Sequence, residues 1–429
     1  MLGSRRVPTS YTAEDIPWGI SHLDRRNHLY IIGKTGMGKT ALLRNIILAD
    51  VWRSAGVGII DPHGDLAESI VDAIPSTRSD DVVYFNPSDL EYPLAWNLVQ
   101  AISPDERPLT ADFLVEGFKS LFGDSWGPRL QWILYNALRA CLDAQHTTLL
   151  SVYRMLTDES YRTHIVRQVQ DPVVRDFWQG EFAEWPAHYR LEAISSIRNK
   201  LGRFLGSPAV RNIVGQYHGK LDLGFVMDHE RIFIANLAKG TLGPDQANLL
   251  GSLLVAQFQA AAFKRATIPE AERRDFYLII DEFQNFMTES FASILSEARK
   301  YRLNLTMAHQ YLEQATPAVR QAVFGNVGSI IAFRVGGPDG EALEQVFSPD
   351  MLRTHFLNLK KHEVIASIQD KGSPPAPFRG MTLAPLAYES GRKDAIIALS
   401  RERYARPRAV VEPRIHALFP DLGAGKSPP

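Results

Sequence analysis

The sequence predicts an α/β fold with a mainly parallel central sheet and an inserted all-alpha domain, and three observations predict it. An apolar run, Leu29 to Ile32, leads into Gly33-Lys34-Thr35-Gly36-Met37-Gly38-Lys39-Thr40, which leads in turn into the apolar segment ALLRNIIL. Short apolar runs of strand length alternate with helix-length segments before about residue 100 and again after about residue 230. Between these blocks, from about Pro104 to Gly219, apolar residues recur at helical spacing with almost no strand signal.

The octapeptide Gly33 to Thr40 fits GxxxxGK followed by Ser or Thr, the spacing of a phosphate-binding loop between a strand and a helix. Such a loop turns backbone N–H groups and a helix N-terminus onto the phosphates of a nucleotide. Gly33, Gly36 and Gly38 allow close approach, and Lys34, Thr35 and Met37 supply the intervening backbone. Lys39 is placed to meet the β- and γ-phosphates as a point charge, and the Thr40 hydroxyl to take one site on Mg²⁺. The predicted ligands are therefore ATP and Mg²⁺. An ordinary glycine turn before a core helix leaves the lysine and the flanking strand unexplained.

The 429 residues, 45% hydrophobic and 22% charged, suffice for a large core and two or three domains. No apolar stretch reaches the roughly 18 residues needed to cross a bilayer, and MLGSRRVPTSYTAED lacks the apolar core of a signal peptide. The expected location is the cytoplasm. The single cysteine, Cys141, sits in a helical apolar context and reads as a core thiol in a reducing compartment. A formal net charge of -1 carries no nucleic-acid footprint, so any such role falls to local charge.

After a helix over roughly 39 to 54 comes a second strand, Val57 to Asp61, followed by Pro62-His63-Gly64-Asp65. Ligands of open α/β sheets bind at the carboxyl ends of the strands, which places Asp61 and His63 near the nucleotide. Asp61, His63 and Asp65 also alternate as ligands of a metal nuclease would, but Pro62 and Gly64 favour a turn and no second cluster with ligand spacing accompanies them. A third strand covers Val82 to Phe85.

The helical insertion is unevenly charged. Residues 105 to 186 hold 8 Lys and Arg against 12 Asp and Glu, whereas 187 to 220 hold 6 against one. Arg190, Arg198, Lys200 and Arg203 form a basic end that either faces DNA phosphates or is a solvated helix face.

The α/β pattern resumes at Arg231 to Leu237, and FYLIIDEFQNF, Phe276 to Phe286, is an apolar strand ending in two acids. Behind a phosphate-binding loop this is the Walker B arrangement, with Asp281 holding Mg²⁺ and Glu282 polarising the attacking water as general base. Arg299, Lys300 and Arg302 follow at the carboxyl end of a helix. They are either an arginine-finger group or charges complementing the helix macrodipole. The strand LNLTMAH then delivers His309 and Gln310, the latter placed to hydrogen-bond the γ-phosphate or the attacking water. KGSPPAPFRG over 371 to 380 reads as a loop, AIIALSRERY as a short helix, and GAGKSPP as a disordered tail; residues 379 to 429 hold 9 basic against 5 acidic residues.

Taken in order, GKTGMGKT, IIDPHGDL, YFNPSDLEYPLAWNLV, IFIANLAKGTLG, LIIDEFQNF, ARKYRLNLTMAHQ and FGNVGSIIAFRVG resemble the TraD/TraG-like conjugative coupling ATPases of type IV secretion, which share a P-loop superfamily with the HerA and FtsK motors. The resemblance spans roughly residues 15 to 370. It implies a RecA-like motor domain interrupted by an all-alpha domain, assembly as a hexameric ring, and ATP-driven translocation of DNA. It also implies that Arg299 is the arginine finger and Gln310 the sensor glutamine, beside Lys39, Thr40, Asp281 and Glu282.

The expected division is a first part of the RecA-like domain over 1–103, the all-alpha domain over 104–219, a second RecA-like part over 220–370 and a partly disordered extension over 371–429. Coupling proteins usually begin with two membrane helices and HerA proteins with a β-barrel; here only 28 residues precede the strand at Leu29. Attachment at the inner face of a membrane therefore falls to an anchoring partner, beside a relaxosome. The alternatives are a soluble HerA-type motor partnering a nuclease, and a nucleotide-gated or protein-export ATPase that does not bind DNA.

Overall fold

Strand-forming runs buried on both faces organise the molecule. The computed structural model describes residues 1–8, 13–100, 103–122, 125–286, 291–373 and 376–419. Among the described residues the sheet has eleven strands: β1 (Gly3–Pro8), β2 (Ala13–Trp18), β3 (Leu29–Ile32), β4 (Gly56–Asp61), β5 (Val82–Phe85), β6 (Ile232–Asn236), β7 (Phe276–Ile280), β8 (Leu303–His309), β9 (Ser329–Ala332), β10 (Glu363–Ser367) and β11 (Phe378–Thr382). Their spatial order is β2-β1-β11-β10-β9-β3-β8-β7-β4-β6-β5.

Every residue of β3, β4, β6, β7, β8 and β9 is buried. Consecutive pairs along β9-β3-β8-β7-β4-β6 are parallel. Strands covered on both faces read as continuous Val/Ile/Leu runs without alternation, which is what LYII, GVGII and FYLII show. Ile31, Ile59, Ile279, Ala308 and Ile331 pack with Leu43, Ile46 and Ile47 of the helix Lys39–Trp52 in one core. Each fully buried Ile or Leu there contributes about 1.5–3 kcal/mol.

Two features of the sheet depart from the sequence expectation. The strand at Leu29 is the third, because Gly3–Pro8 and Ala13–Trp18 form an antiparallel hairpin before it. Phe378–Thr382, expected within a loop, pairs antiparallel with both β10 and β1. These strands escape a periodicity reading because GSRRVP, AEDIPW and FRGMT mix charged residues with Gly or Pro and carry no apolar run. β11 places only Gly380 and Thr382 inside.

The chain divides into two compact units: residues 1–84 with 223–236 and 261–397, and residues 85–222 with 237–260 and those from 398 onward. The first holds the sheet core. The second is helical among the described residues. Helix Pro128–Asp143 buries Ile133, Leu134, Ala137, Leu138 and Cys141 at the expected spacing, and Cys141 Sγ lies 3.6 Å from Met155 Sδ. Helix starts in this unit are specified locally. Thr148 makes a capping box, Asp158 and Asp171 accept first-turn N–H groups, and Pro128, Pro172 and Pro208 occupy first-turn positions. The expected helix AIIALSRERY is Lys393–Tyr404, and a further one, Arg408–His416, follows it with Pro413 inside. The tail GAGKSPP lies outside the described residues. Among the described residues no helix is long and apolar enough to cross a membrane.

Candidate active site

Four neighbouring strands, β3-β8-β7-β4, run parallel with their carboxyl ends side by side. At about 4.8 Å per strand they span roughly 14 Å, the reach of a triphosphate and its metal. In chain order these ends deliver Gly33 to Thr40, Asp61, Asp281-Glu282 and His309-Gln310. Strand order thus brings together residues up to about 280 positions apart in the sequence.

The phosphate-binding loop is pinned on both sides by backbone. Gly33 N–H donates to the His309 carbonyl at 3.2 Å, Lys34 N–H to the Arg334 carbonyl at 2.9 Å, and His362 N–H to the Met37 carbonyl at 2.9 Å. Gly36 and Gly38 have φ of 78° and 118°, in the region that favours glycine. At Gly38 a Cβ would also meet His362 Nδ1 at 2.7 Å. Gly38 is the N-cap of the helix Lys39–Trp52, so the loop delivers its backbone to a helix N-terminus.

Lys39 is buried, with its ammonium donating to the carbonyls of Gly33 and Lys34. Burial lowers its pKa, against the raising effect of Glu282 and Asp281. Thr35 and Thr40 are exposed.

Asp281 continues β7, and its N–H donates to the Ile60 carbonyl at 3.1 Å. Register therefore sets it beside Asp61, and its pKa is pushed up to about 7 by burial, then by the charges of Asp61 and Glu282. Asp61 is itself buried and accepts from His63 N–H at 2.8 Å and Ala67 N–H at 2.9 Å. That carboxylate organises the turn after β4 and the start of the helix Asp65–Val71, while His63 and Asp65 are exposed. Three carboxylates against one buried lysine form a donor set matched to a divalent cation. The Asp281 carboxylate and the Thr40 hydroxyl are the candidate holders of Mg²⁺, and among the described residues no group of three or more His, Cys, Asp or Glu side chains is placed to hold a metal ion on its own.

Glu282 is buried and has φ of 47°, a left-handed conformation that costs on the order of 1–3 kcal/mol for a non-glycine residue. Both carboxylate oxygens are occupied. Gln310 Nε2 donates to Oε1, and Gln284 Nε2 donates to Oε2 at 2.6 Å. Gln310 Oε1 accepts from the Thr35 hydroxyl at 3.0 Å. A chain of hydrogen bonds thus runs from Thr35 of the glycine-rich loop through Gln310 to Glu282. His309 is buried with Nδ1 3.0 Å from Tyr30 Oη, and its pKa falls to about 4 through burial and then the Lys39 charge.

Arg299 stands apart from this group. It lies in the turn Ala298–Tyr301 before the amino end of β8, is exposed, and is separated from Gln310 by the seven residues of that strand. At about 3.3 Å per residue that is roughly 23 Å. Arg190, Arg198, Lys200 and Arg203 all lie on the helix Ala187–Gly206 of the helical unit. Arg198 and Arg203 are exposed, Arg203 ion-pairs Asp245 at 3.2 Å, and Lys200 Nζ donates to the Phe122 carbonyl at 2.9 Å. Gln284 is the site residue that sequence reasoning missed; it carries no motif signal beyond its place two residues after Glu282.

Residues 11–179 match a protein family described as the type IV secretion-system coupling protein DNA-binding domain. Over those residues the chain is similar to the coupling proteins of type IV secretion. The unbound bacterial conjugative coupling protein TrwBdeltaN70 is similar over 87% of this chain and 88% of that one, with a TM-score of 0.62 at 14% identity. The plasmid coupling protein TrwB with ADP and Mg²⁺ is similar over 85% and 86%, at 0.60 and 16%. VirB4 of Thermoanaerobacter pseudethanolicus is similar over 92% and 98%, at 0.53 and 15%. Among curated protein sequences nothing matches. At these identities the structural likeness shows a shared RecA-like P-loop fold, and this chain has its loop lysine and paired acids at the carboxyl ends of the central strands.

Proposed function

We propose that this protein is an ATP-driven DNA translocase that works as a hexameric ring feeding DNA to a conjugative, type IV secretion-like transfer system. The observation that carries the reading is the convergence of Lys39, Asp281, Glu282 and Gln310 at the carboxyl ends of adjacent strands. The similarity of residues 11–179 to a coupling-protein DNA-binding domain, and the TrwB structures bound to an ATP analogue and to ADP with Mg²⁺, support ATP and Mg²⁺ as ligands and DNA as the cargo.

When bound, Mg²⁺ supplies charge neutralisation and polarises the phosphate oxygens. Lys39 binds the β- and γ-phosphates, and Thr40 and Asp281 hold the metal. Glu282 takes a proton from water as the water oxygen bonds to the γ-phosphorus, and the bond from that phosphorus to its β-bridging oxygen breaks. Gln310, hydrogen-bonded to both Thr35 and Glu282, links occupancy of the loop to the base.

Arg299 is remote from its own chain's loop and exposed, which supports a role in trans as the arginine finger of a neighbouring subunit's site. Arg190, Arg198 and Arg203 are the DNA-facing candidates of the all-alpha domain, proposed over 104–219, between RecA-like parts over 1–103 and 220–370 and before an extension from 371. A relaxosome or a membrane-anchor protein is the proposed partner.

The test is ATP turnover by the purified protein with and without DNA. The expected result is stimulation by DNA and loss of turnover in Lys39→Ala.

A further inference from the structure

We propose that Gln284 is a positioning residue for hydrolysis, acting through Glu282; the inference rests on the reading of Glu282 as general base given above. Glu282 ends a buried strand on a single left-handed residue, so its side chain leaves the sheet with nothing regular to hold it. Two amides hold it instead. Gln310 approaches Oε1 from the end of β8, and Gln284 approaches Oε2 at 2.6 Å from the short turn Phe283–Asn285. The pair fixes the carboxylate plane from both sides.

The chemistry of the acceptor fixes the orientation of each amide. An ionised carboxylate accepts only, so each glutamine must present its NH₂ group to Glu282 and its carbonyl oxygen elsewhere. For Gln310 the carbonyl meets the Thr35 hydroxyl. For Gln284 the carbonyl oxygen is out of solvent contact and meets no donor among the described residues. A buried acceptor without a donor is unfavourable, and this one is held next to the carboxylate that the account assigns to water activation. The arrangement suits a group that steadies the base through its NH₂ while its own carbonyl stays without a donor. A loop glutamine serving packing alone has no need of that contact.

The experiment measures steady-state ATP turnover and ATP affinity of the full-length protein for wild type, Gln284→Leu, Gln284→Glu, Glu282→Gln and the double variant Glu282→Gln/Gln284→Leu. Gln284→Leu keeps the side-chain bulk without hydrogen bonds, and Gln284→Glu places a like charge against Glu282. Both are expected to lower kcat about 10- to 100-fold, the effect of losing a hydrogen bond to a charged group, with KM for ATP changed less than about threefold. Because Gln284 acts through Glu282, adding Gln284→Leu to Glu282→Gln is expected to leave residual turnover unchanged. The proposal is overturned if Gln284→Leu and Gln284→Glu both retain kcat within about twofold, if KM rises in step with the loss in kcat, or if the double variant falls by the full single-variant factor. Wild-type protein with no ATP turnover would instead sink the underlying reading of the site.

Discussion

The Gln310 side chain reaches across from the end of β8 to the Glu282 carboxylate, and its carbonyl simultaneously accepts the Thr35 hydroxyl. One residue therefore touches both the loop proposed to receive phosphate and the carboxylate proposed to activate water. Gln310→Leu should bind ATP with near wild-type affinity while kcat falls about 10- to 100-fold. Thr35→Val, which removes one end of the chain of contacts, should give a smaller loss of kcat. Turnover and nucleotide-affinity measurements check both, and equal loss of affinity and kcat in Gln310→Leu would break the link.

The two charged groups of the site should separate binding from chemistry. Lys39→Ala removes the buried ammonium beside the loop, and equilibrium binding of ATP should weaken sharply. Glu282→Gln should bind ATP and Mg²⁺ normally and lose about 10²- to 10⁴-fold in turnover, the usual worth of a general base. Glu282→Gln at full activity would reassign the base.

Arg299 gives a test of assembly. Arg299→Ala should bind ATP and lose turnover, as should Glu282→Gln, yet mixing the two should restore part of the activity. Mixed rings contain interfaces in which an intact Glu282 faces an intact Arg299. Absence of any recovery, with mixed assemblies verified by native mass, would contradict a role in trans.

His28 makes a pH prediction. It is buried, with Nε2 3.2 Å from the Leu295 carbonyl and Nδ1 accepting from Leu305 N–H at 3.0 Å. Only the neutral Nε2–H tautomer satisfies both contacts. Burial, opposed by the Leu295 hydrogen bond and reinforced by the nearby Arg299 charge, lowers its pKa to about 4 from 6.5. The folded value lies below the unfolded one, so this contribution is complete above pH 6.5 and is lost as pH falls towards 4. The loss is on the order of 3 kcal/mol. Urea denaturation at several pH values should show a shallower acid-side slope in His28→Asn than in wild type.

On the helix Ala187–Gly206, charge proposed to meet DNA can be told apart from charge that serves the fold. Arg198→Ala combined with Arg203→Ala should weaken DNA binding and reduce the slope of log affinity against log salt by about 2. Lys200→Ala, which removes a donor from the Phe122 carbonyl and a cation 5.8 Å from the Phe122 ring, should instead lower stability by about 1 kcal/mol. Binding isotherms at several salt concentrations and thermal melts distinguish these outcomes.

Much of the site was legible because its chemistry is local. Gly33 to Thr40 and Phe276 to Glu282 each combine a buried strand with polar residues at its end, and both patterns survive in linear sequence. Strands β1, β2 and β11 were not legible, since a polar strand without an apolar run acquires its identity from the neighbours it pairs with. The use of Asp61 to organise its own turn, and the Gln284 contact, were hidden for a related reason. Each depends on where a side chain points after the backbone has turned.

The central claim is that hydrolysis at this site drives movement of DNA. The most direct measurement is the ATPase rate of the assembled protein with single-stranded DNA, with double-stranded DNA and with none, alongside its native mass. The account predicts a hexamer whose turnover rises when one of these DNA forms is added and vanishes in Lys39→Ala. A rate that is the same with and without DNA of either form would contradict it.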